Sequence, residues 1–268
     1  MRVVAVIPAH LASARFPRKI LYPIFGLPMI EHVRRRALLS SEITDVFVAT
    51  CDDEIATAMR KFGANVIMTS KSHVNGTSRV AEAVSELPCS HVLLLQGDEP
   101  LLLPKHLGSL VKAMEARPEG DAWNATGPID AADELERHSF VKCAVSKSNR
   151  ILLCFRRSPF FCSSDEQKMF VRKILGIISF RKEFLLELND LESGAIEQVE
   201  LIEQMRIIES GYDLQSVPVE ESLPSVNEPG EVEVVLDFIQ RDRSQQKLLS
   251  QILDNGESPM SQGTGKLC

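Results

Sequence analysis

Val92-Leu93-Leu94-Leu95-Gln96-Gly97-Asp98-Glu99-Pro100 is the stretch on which the reading of this chain turns. Its four consecutive aliphatic residues are too few for a helix and do not alternate with polar ones. That pattern marks a strand buried on both faces, as in a parallel sheet covered by helices. Gly97 lets the backbone turn sharply and come close to a ligand. Asp98 then stands at the strand's carboxyl end, where a carboxylate can hold a divalent cation against phosphate oxygens. Taken alone, the same residues also fit an ordinary turn, because Asp and Glu are common before Pro.

Toward the N-terminus the strand signal recurs in Val3–Ile7, Val46–Ala49 and Asn65–Met68. Pro28–Leu39 places Met29, Ile30, Val33, Ala37 and Leu38 at helical spacing. Asp52 caps a helix expected to stop at Gly63, and Thr77–Leu87 is a third helix with Thr77 or Ser78 as its cap. Strands alternating with short helices imply parallel neighbours joined by right-handed crossovers, with ligands beyond the carboxyl ends of the strands. The loops at those ends are 8–19, 50–53, 69–77 and 96–104, and they hold most of the chemically suggestive residues.

Toward the C-terminus the pattern loosens. Val141–Val145 and Ile151–Phe155 flank the turn Lys147-Ser148-Asn149-Arg150 as a hairpin, and Leu175–Phe180 is another strand. Glu197–Ser210 reads as one long helix with Val199, Ile202, Met205 and Ile207 or Ile208 inward, and Pro229–Gln240 as a last helix. The fold class expected is therefore α/β, a mostly parallel sheet flanked by helices, with a smaller β-containing excursion in the second half. Residues 1–252 form one domain in this reading, and the polar, Gly/Ser-rich 253–268 a mobile tail.

Composition narrows the function classes. At 268 residues, 44% hydrophobic and 25% charged, the chain can build a sizeable core without disulfide or metal staples. A net charge of −7 argues against a nucleic-acid partner. The six cysteines are scattered with no Cys-x-x-Cys pair, so neither a disulfide framework nor a zinc site is expected. No run reaches the roughly 18 apolar residues of a membrane span, and the first strand is too short for a secretory leader. A cytoplasmic protein without a membrane partner is the expectation.

Three further segments carry possible chemistry. Pro8-Ala9-His10-Leu11-Ala12-Ser13-Ala14-Arg15-Phe16-Pro17-Arg18-Lys19 sets Arg15, Arg18 and Lys19 just past the first strand. Cations there can compensate a triphosphate as it leaves water. The glycine patterns of a Walker loop and of a dinucleotide fingerprint are both missing, and a solvated basic loop is the alternative. Ser70–Arg79 enters a helix and suits either recognition of a base or ribose or simple capping. Glu200, Glu203 and Gln204 fall on neighbouring helical turns, fit for sugar hydroxyls or for a solvated face.

Together these segments resemble the 3-deoxy-D-manno-octulosonate (Kdo) cytidylyltransferases, the CMP-Kdo synthetases, collinearly over roughly residues 3–240. The loop Ile7–Lys19 is similar to the family's Ile-Pro-Ala-Arg-x-x-Ser-x-Arg-x-Pro-Gly-Lys. Pro28–Val33, Val48–Asp53, Gly76-Thr77-Ser78-Arg79, Gln96–Pro100, Arg157-Ser158-Pro159 and Glu203–Arg206 follow in the family's order. The resemblance implies a nucleotidyltransferase-type, Rossmann-like fold, a homodimer, CTP and Mg²⁺ as needs, and a Kdo-like acidic sugar as acceptor. It implies direct attack of the anomeric hydroxyl on the α-phosphorus, toward lipopolysaccharide synthesis. A nucleotide-binding part to about residue 120 and an acceptor and dimerisation part over about 121–252 follow, with an interface around Ile151–Phe161. Catalytic roles would fall to Arg15, Lys19 and Asp98. Pro8, Ala9, His10, Ser13, Ser70, Gly76, Thr77 and Arg79 would join Arg15 and Lys19 on the nucleotide. Gln96, Arg157, Glu203 and Gln204 would face the sugar, and Asp98 and Asn227 the metal.

The chain also departs from the family. His10 stands for its Arg, Arg18 for its Gly before the loop Lys, Ile174 and Ile178 for a His and a Tyr on the sugar side, and Asn227 for the second metal-binding Asp. An Asn offers Mg²⁺ a carbonyl oxygen but no charge. The nucleotide side is thus better kept than the acceptor side. Two alternatives follow: a variant acceptor (8-amino-Kdo, another 2-keto sugar acid or a phosphonate), or a catalytically weak relative that only binds nucleotide.

Overall fold

The computed structural model describes residues 1–254. The chain opens with β1 (Val3–Ala9), and a small hairpin of β2 (Pro23–Ile24) and β3 (Leu27–Pro28) leads into α1 (Met29–Leu38). Next come β4 (Asp45–Thr50), α2 (Asp53–Arg60), β5 (Asn65–Met68), α3 (Gly76–Val84), β6 (His91–Leu95) and α4 (Pro104–Ala116). The second half holds β7 (Ala122–Gly127), β8 (Lys142–Val145), β9 (Ile151–Phe155), α5 (Ser164–Gln167), β10 (Val171–Arg181) and α6 (Lys182–Asp190). It closes with α7 (Ala195–Glu200), α8 (Gln204–Glu209), β11 (Leu214–Pro218), α9 (Glu231–Arg241) and α10 (Arg243–Asp254).

One sheet runs in the order β11-β7-β10-β6-β1-β4-β5. β1 pairs in parallel with β4 and β6, β4 with β5, and β11 with β7. β10 is inserted antiparallel between β6 and β7, and its far end carries the β8–β9 hairpin. The mostly parallel α/β sheet and the β-containing excursion are as expected. α1, α2 and α4 cover one face and α3, α6 and α8 the other, which is why β6 is buried along its whole length. A third apolar cluster seats α9 beside the β2–β3 hairpin, and a fourth packs Phe155, Phe160 and Phe170 under the excursion.

Several expectations need correction. α3 is capped by Asn75, whose carboxamide accepts from the Ser78 N–H at 2.9 Å, and not by Thr77 or Ser78. Leu38 faces outward, 53% exposed. The single helix over Glu197–Ser210 is two, broken at Leu201, which adopts left-handed backbone angles (φ 55°). The break turns the carbonyls of Glu200 and Leu201 toward the Arg156 guanidinium, and it leaves Val199 exposed where the helix would have buried it. Leu253 and Asp254 close α10 instead of starting a tail, and the rest of that predicted tail lies outside the described residues. No helix among the described residues is long and apolar enough to cross a membrane.

Candidate active site

Two cavities open beyond the carboxyl ends of the parallel strands, and they meet at Gln96 and Asp98, which line both. The first encloses about 330 Å³. Pro8 and Ala9 reach it from the end of β1, His10, Ser13 and Lys19 from the loop that follows, and Gly76 and Arg79 from the start of α3. Cross-ties fix these loops to one another. The Leu11 N–H donates to the Asp52 carboxylate at 2.9 Å, and Arg79 donates to the Thr69 hydroxyl at 2.6 Å and the Ser70 carbonyl at 3.2 Å. The Ser70 hydroxyl pairs with Ser72 and does not line the cavity, so only the residue's carbonyl bears on the site, through Arg79.

Lys19 is the most enclosed cation of the loop. Its ammonium pairs with the Asp98 carboxylate and donates to the Val226 carbonyl at 3.1 Å. The Val226 N–H in turn donates to the Asp98 carbonyl at 2.9 Å, which fastens the segment 225–227 beside the β6 turn. Arg18 adopts left-handed backbone angles (φ 64°), the conformation a glycine takes most easily, and its guanidinium pairs with Glu54 on α2. The loop therefore keeps a glycine-type turn with an arginine in it. Burial of the His10 ring, and then the nearby Arg79, hold that imidazole below its ordinary pKa and so favour its neutral form.

The second cavity, about 440 Å³, lies between the β6 turn, β10 and the α7–α8 break. Gln96, Glu203 and Gln204 line it, and so do Arg15, Thr77 and Asn227. Glu203 accepts from the Thr77 hydroxyl, and burial raises its carboxyl pKa. Gln204 donates to the buried Asn124 at 3.1 Å. Gly176 makes a close approach: its N–H donates to Glu99 at 2.8 Å, its carbonyl accepts from the Gln96 N–H at 2.9 Å, and a Cβ there would lie 2.8 Å from Gln96 Cγ. Burial, and after it the Asp98 charge, push the Glu99 carboxyl up to about 7. Ile174 and Ile178 present apolar surface to this cavity.

The predicted residues thus gather around the β6 turn, apart from Ser70 and Arg157, and with Arg15 and Thr77 placed otherwise than expected. Arg15 and Thr77 face the second cavity instead of the first. Arg157 is exposed and lines neither, while its neighbour Arg156 lines the second. Asn227 does stand near Asp98, with its carbonyl oxygen accepting from Arg15 at 3.3 Å. Sequence reasoning gave no site role to Asp52, Lys71, Asn75 or Arg156, although the first three fall in loops already marked. Among the described residues no three His, Cys, Asp or Glu side chains converge on a metal position. A divalent cation at Asp98 would need phosphate oxygens to complete its shell, which suits Mg²⁺.

Residues 4–217 match the cytidylyltransferase family. A mitochondrial 3-deoxy-manno-octulosonate cytidylyltransferase of Arabidopsis thaliana is 35% identical over 247 residues, 91% of this chain and 84% of that one. The 8-amino-3,8-dideoxy-manno-octulosonate cytidylyltransferase of Shewanella piezotolerans is 33% identical over 239 residues, 87% of this chain and 97% of that one. The solved CMP:2-keto-3-deoxy-manno-octonic acid synthetase complexed with CTP superposes with a TM-score of 0.84 at 32% identity, covering 90% of this chain and 99% of that one. By sequence and by fold alike, this chain belongs to the cytidylyltransferase family.

Proposed function

We propose that this chain transfers CMP from CTP to the anomeric hydroxyl of a 2-keto sugar acid of the Kdo type and releases pyrophosphate. The observation that carries this reading is the meeting of the two cavities at Gln96 and Asp98. CTP occupies the first cavity and the acid sugar the second, so that the sugar oxygen faces the α-phosphorus across the β6 turn. The new P–O bond forms as the bond to the β-phosphate breaks, and the hydroxyl proton passes to solvent. Catalysis is then positioning and charge stabilisation, with no covalent intermediate. Lys19 leaves Asp98 for the triphosphate, and Arg15 adds charge from the acceptor side.

Asp98 and the Asn227 carbonyl oxygen would hold Mg²⁺, which would supply Lewis-acid stabilisation of the charge that builds on the phosphates. The reading extends to a homodimer, for which the exposed Leu152, Phe161 and Met169 on the excursion offer apolar surface, and to a cytoplasmic role in lipopolysaccharide synthesis. A second reading, cytidylyl transfer to 8-amino-Kdo or another variant acid, draws on Ile174 and Ile178 in the acceptor cavity and on the relative named for 8-amino-Kdo. Pyrophosphate release from CTP and Mg²⁺ across Kdo, 8-amino-Kdo and other 2-keto sugar acids tests both. Turnover highest with Kdo upholds the first reading, and turnover with another acid alone upholds the second. CTP binding without turnover on any acceptor would sink both.

A further inference from the structure

The hairpin carried at the far end of β10 sets two cysteines face to face. Cys143 of β8 lies opposite Cys154 of β9 in the antiparallel register, and both are buried, at 0% and 1% exposure. Hydrogen bonds show which kind of pair this is. The Ile174 N–H donates to the Val141 carbonyl at 2.9 Å, and the Val145 N–H to the Phe170 carbonyl at 2.8 Å. Alternate residues of β8, with Cys143 between these two, therefore turn their backbone groups to β10 and not to β9. The Cys154 N–H points away from β8 as well, donating to Met205 Sδ at 3.3 Å.

Cys143 and Cys154 are thus a non-hydrogen-bonded cross-strand pair, in which Cα atoms come within about 4.5 Å and side chains on one face approach most closely. A disulfide spans Cα separations of about 4.4 to 6.8 Å, so the ladder already holds the two thiols at bonding range. The same strands wall the second cavity. Two positions further along each, on the same face, stand Val141 and Arg156, and both line it. Met205, packed in one apolar cluster with the two cysteines, follows Gln204, which lines it too.

We propose that Cys143 and Cys154 form a reversible disulfide that acts on the acceptor side of the site. The co-reactant is a small disulfide of the glutathione type. One cysteine thiolate attacks it, a protein–glutathione bond forms as the reagent's own sulfur–sulfur bond breaks, and the released thiolate takes a proton. The second cysteine, as its thiolate, attacks that mixed disulfide, closes the Cys143–Cys154 bond and expels the second glutathione. Two electrons pass from the pair to the reagent, the two thiol protons end on the two reduced glutathiones, and excess thiol reverses the sequence.

Burial pushes the Cys143 thiol up to about 12 and the Cys154 thiol well above its ordinary value, so both stay protonated while the hairpin is closed. Exchange awaits the lifting of β9, which ladders with β8 alone among the described strands. Closing the bond draws the Cβ atoms to about 3.8 Å, nearer than an unbridged pair, and so shifts the strand ends at Val141 and Arg156. The effect on the acceptor rests on the cytidylyl-transfer reading, whereas the bond itself does not.

The test equilibrates the folded chain with oxidised or reduced glutathione, traps free thiols with N-ethylmaleimide under denaturing conditions and maps the linked peptides. Peptides joined through Cys143 and Cys154 are expected with oxidised glutathione and are lost in dithiothreitol, and the bridged form should melt about 6 °C higher. Oxidation should raise the KM for Kdo on the order of fivefold with the KM for CTP unchanged, and Cys143→Ala should show neither shift. Oxidation confined to the exposed Cys162, with Cys143 and Cys154 both trapped as thiols, overturns the proposal. The wild type alone decides that point, even if Cys143→Ala folds poorly. A bridge that forms and leaves the KM for Kdo unmoved overturns its hold on the acceptor side. A wild type that transfers CMP to no acidic sugar defeats the earlier reading instead, and the mapped bridge and the melting shift still decide the disulfide.

Discussion

The cavity beside β1 and the cavity beside β10 are held by different kinds of contact. The first is bounded by loops that leave the carboxyl ends of parallel strands, and neighbouring loops tie directly to one another, as Leu11 to Asp52 and Arg79 to Thr69. The second draws its walls from an antiparallel strand, a helix break and segments distant in the chain: Thr77 meets Glu203, Asn124 meets Gln204, and Arg156 meets Leu201. A site made from short strand-to-helix loops inherits its geometry from the sheet. A site made from remote contacts depends on each of them, and so it can change its preferences without disturbing the other.

The heaviest test of that division is Asp98→Asn, because the carboxylate belongs to both cavities. Cytidylyl transfer should fall on the order of 1,000-fold, with thermal stability nearly unchanged. Retention of more than about a tenth of the activity would remove the β6 turn from the centre of the site. Next is a stability effect confined to the first half. Burial lowers the His32 pKa from 6.5 to about 4, and its ring is bonded to the Ile24 carbonyl at 2.7 Å. A base depressed in the folded state contributes stability that is full above its unfolded pKa of 6.5 and lost as pH falls through about 4. Urea titrations at pH 7 and pH 4 should differ by about 3 kcal/mol from this group, a difference that shrinks in His32→Asn.

Gly176 lines the second cavity and not the first, so Gly176→Ala bears most directly on the second. The new Cβ would press on Gln96 Cγ at 2.8 Å and Glu99 Cδ at 2.7 Å. Acceptor kcat/KM should drop on the order of 10- to 100-fold while CTP affinity stays within about threefold. An equal loss on both substrates would mean that the cavities are not separable. The smallest effect expected is from Arg18→Gly. Glycine suits the φ of 64° better and gives up only the exposed pair with Glu54. Melting should rise by about 2 °C, with activity unchanged.

The parallel half was legible because burial on both faces writes itself as unbroken aliphatic runs, as in Val92–Leu95. β7 was not, although all its residues are buried. Asn124 and Thr126 are satisfied there by Gln204 and Ser216, partners some 80 to 90 positions away, so a strand with polar residues hides its burial. The break at Leu201 has no Gly or Pro to announce it, since a distant guanidinium stabilises the turn. The step from Arg157 to Arg156 has a similar origin. At a strand end, neighbouring side chains point to opposite sides, and the end of β9 decides which arginine faces inward.

One pair of side chains that walls both cavities carries a thermodynamic obligation. Whatever occupies one chamber alters the boundary of the other, so the two occupants report on each other through Gln96 and Asp98. If a non-transferable CTP analogue tightens the hold on the sugar by some factor, the sugar must tighten the hold on the analogue by that same factor. The turn after β6 thus works as a coincidence gate, and a single solitary substrate should find the enzyme a poorer host than the pair does together.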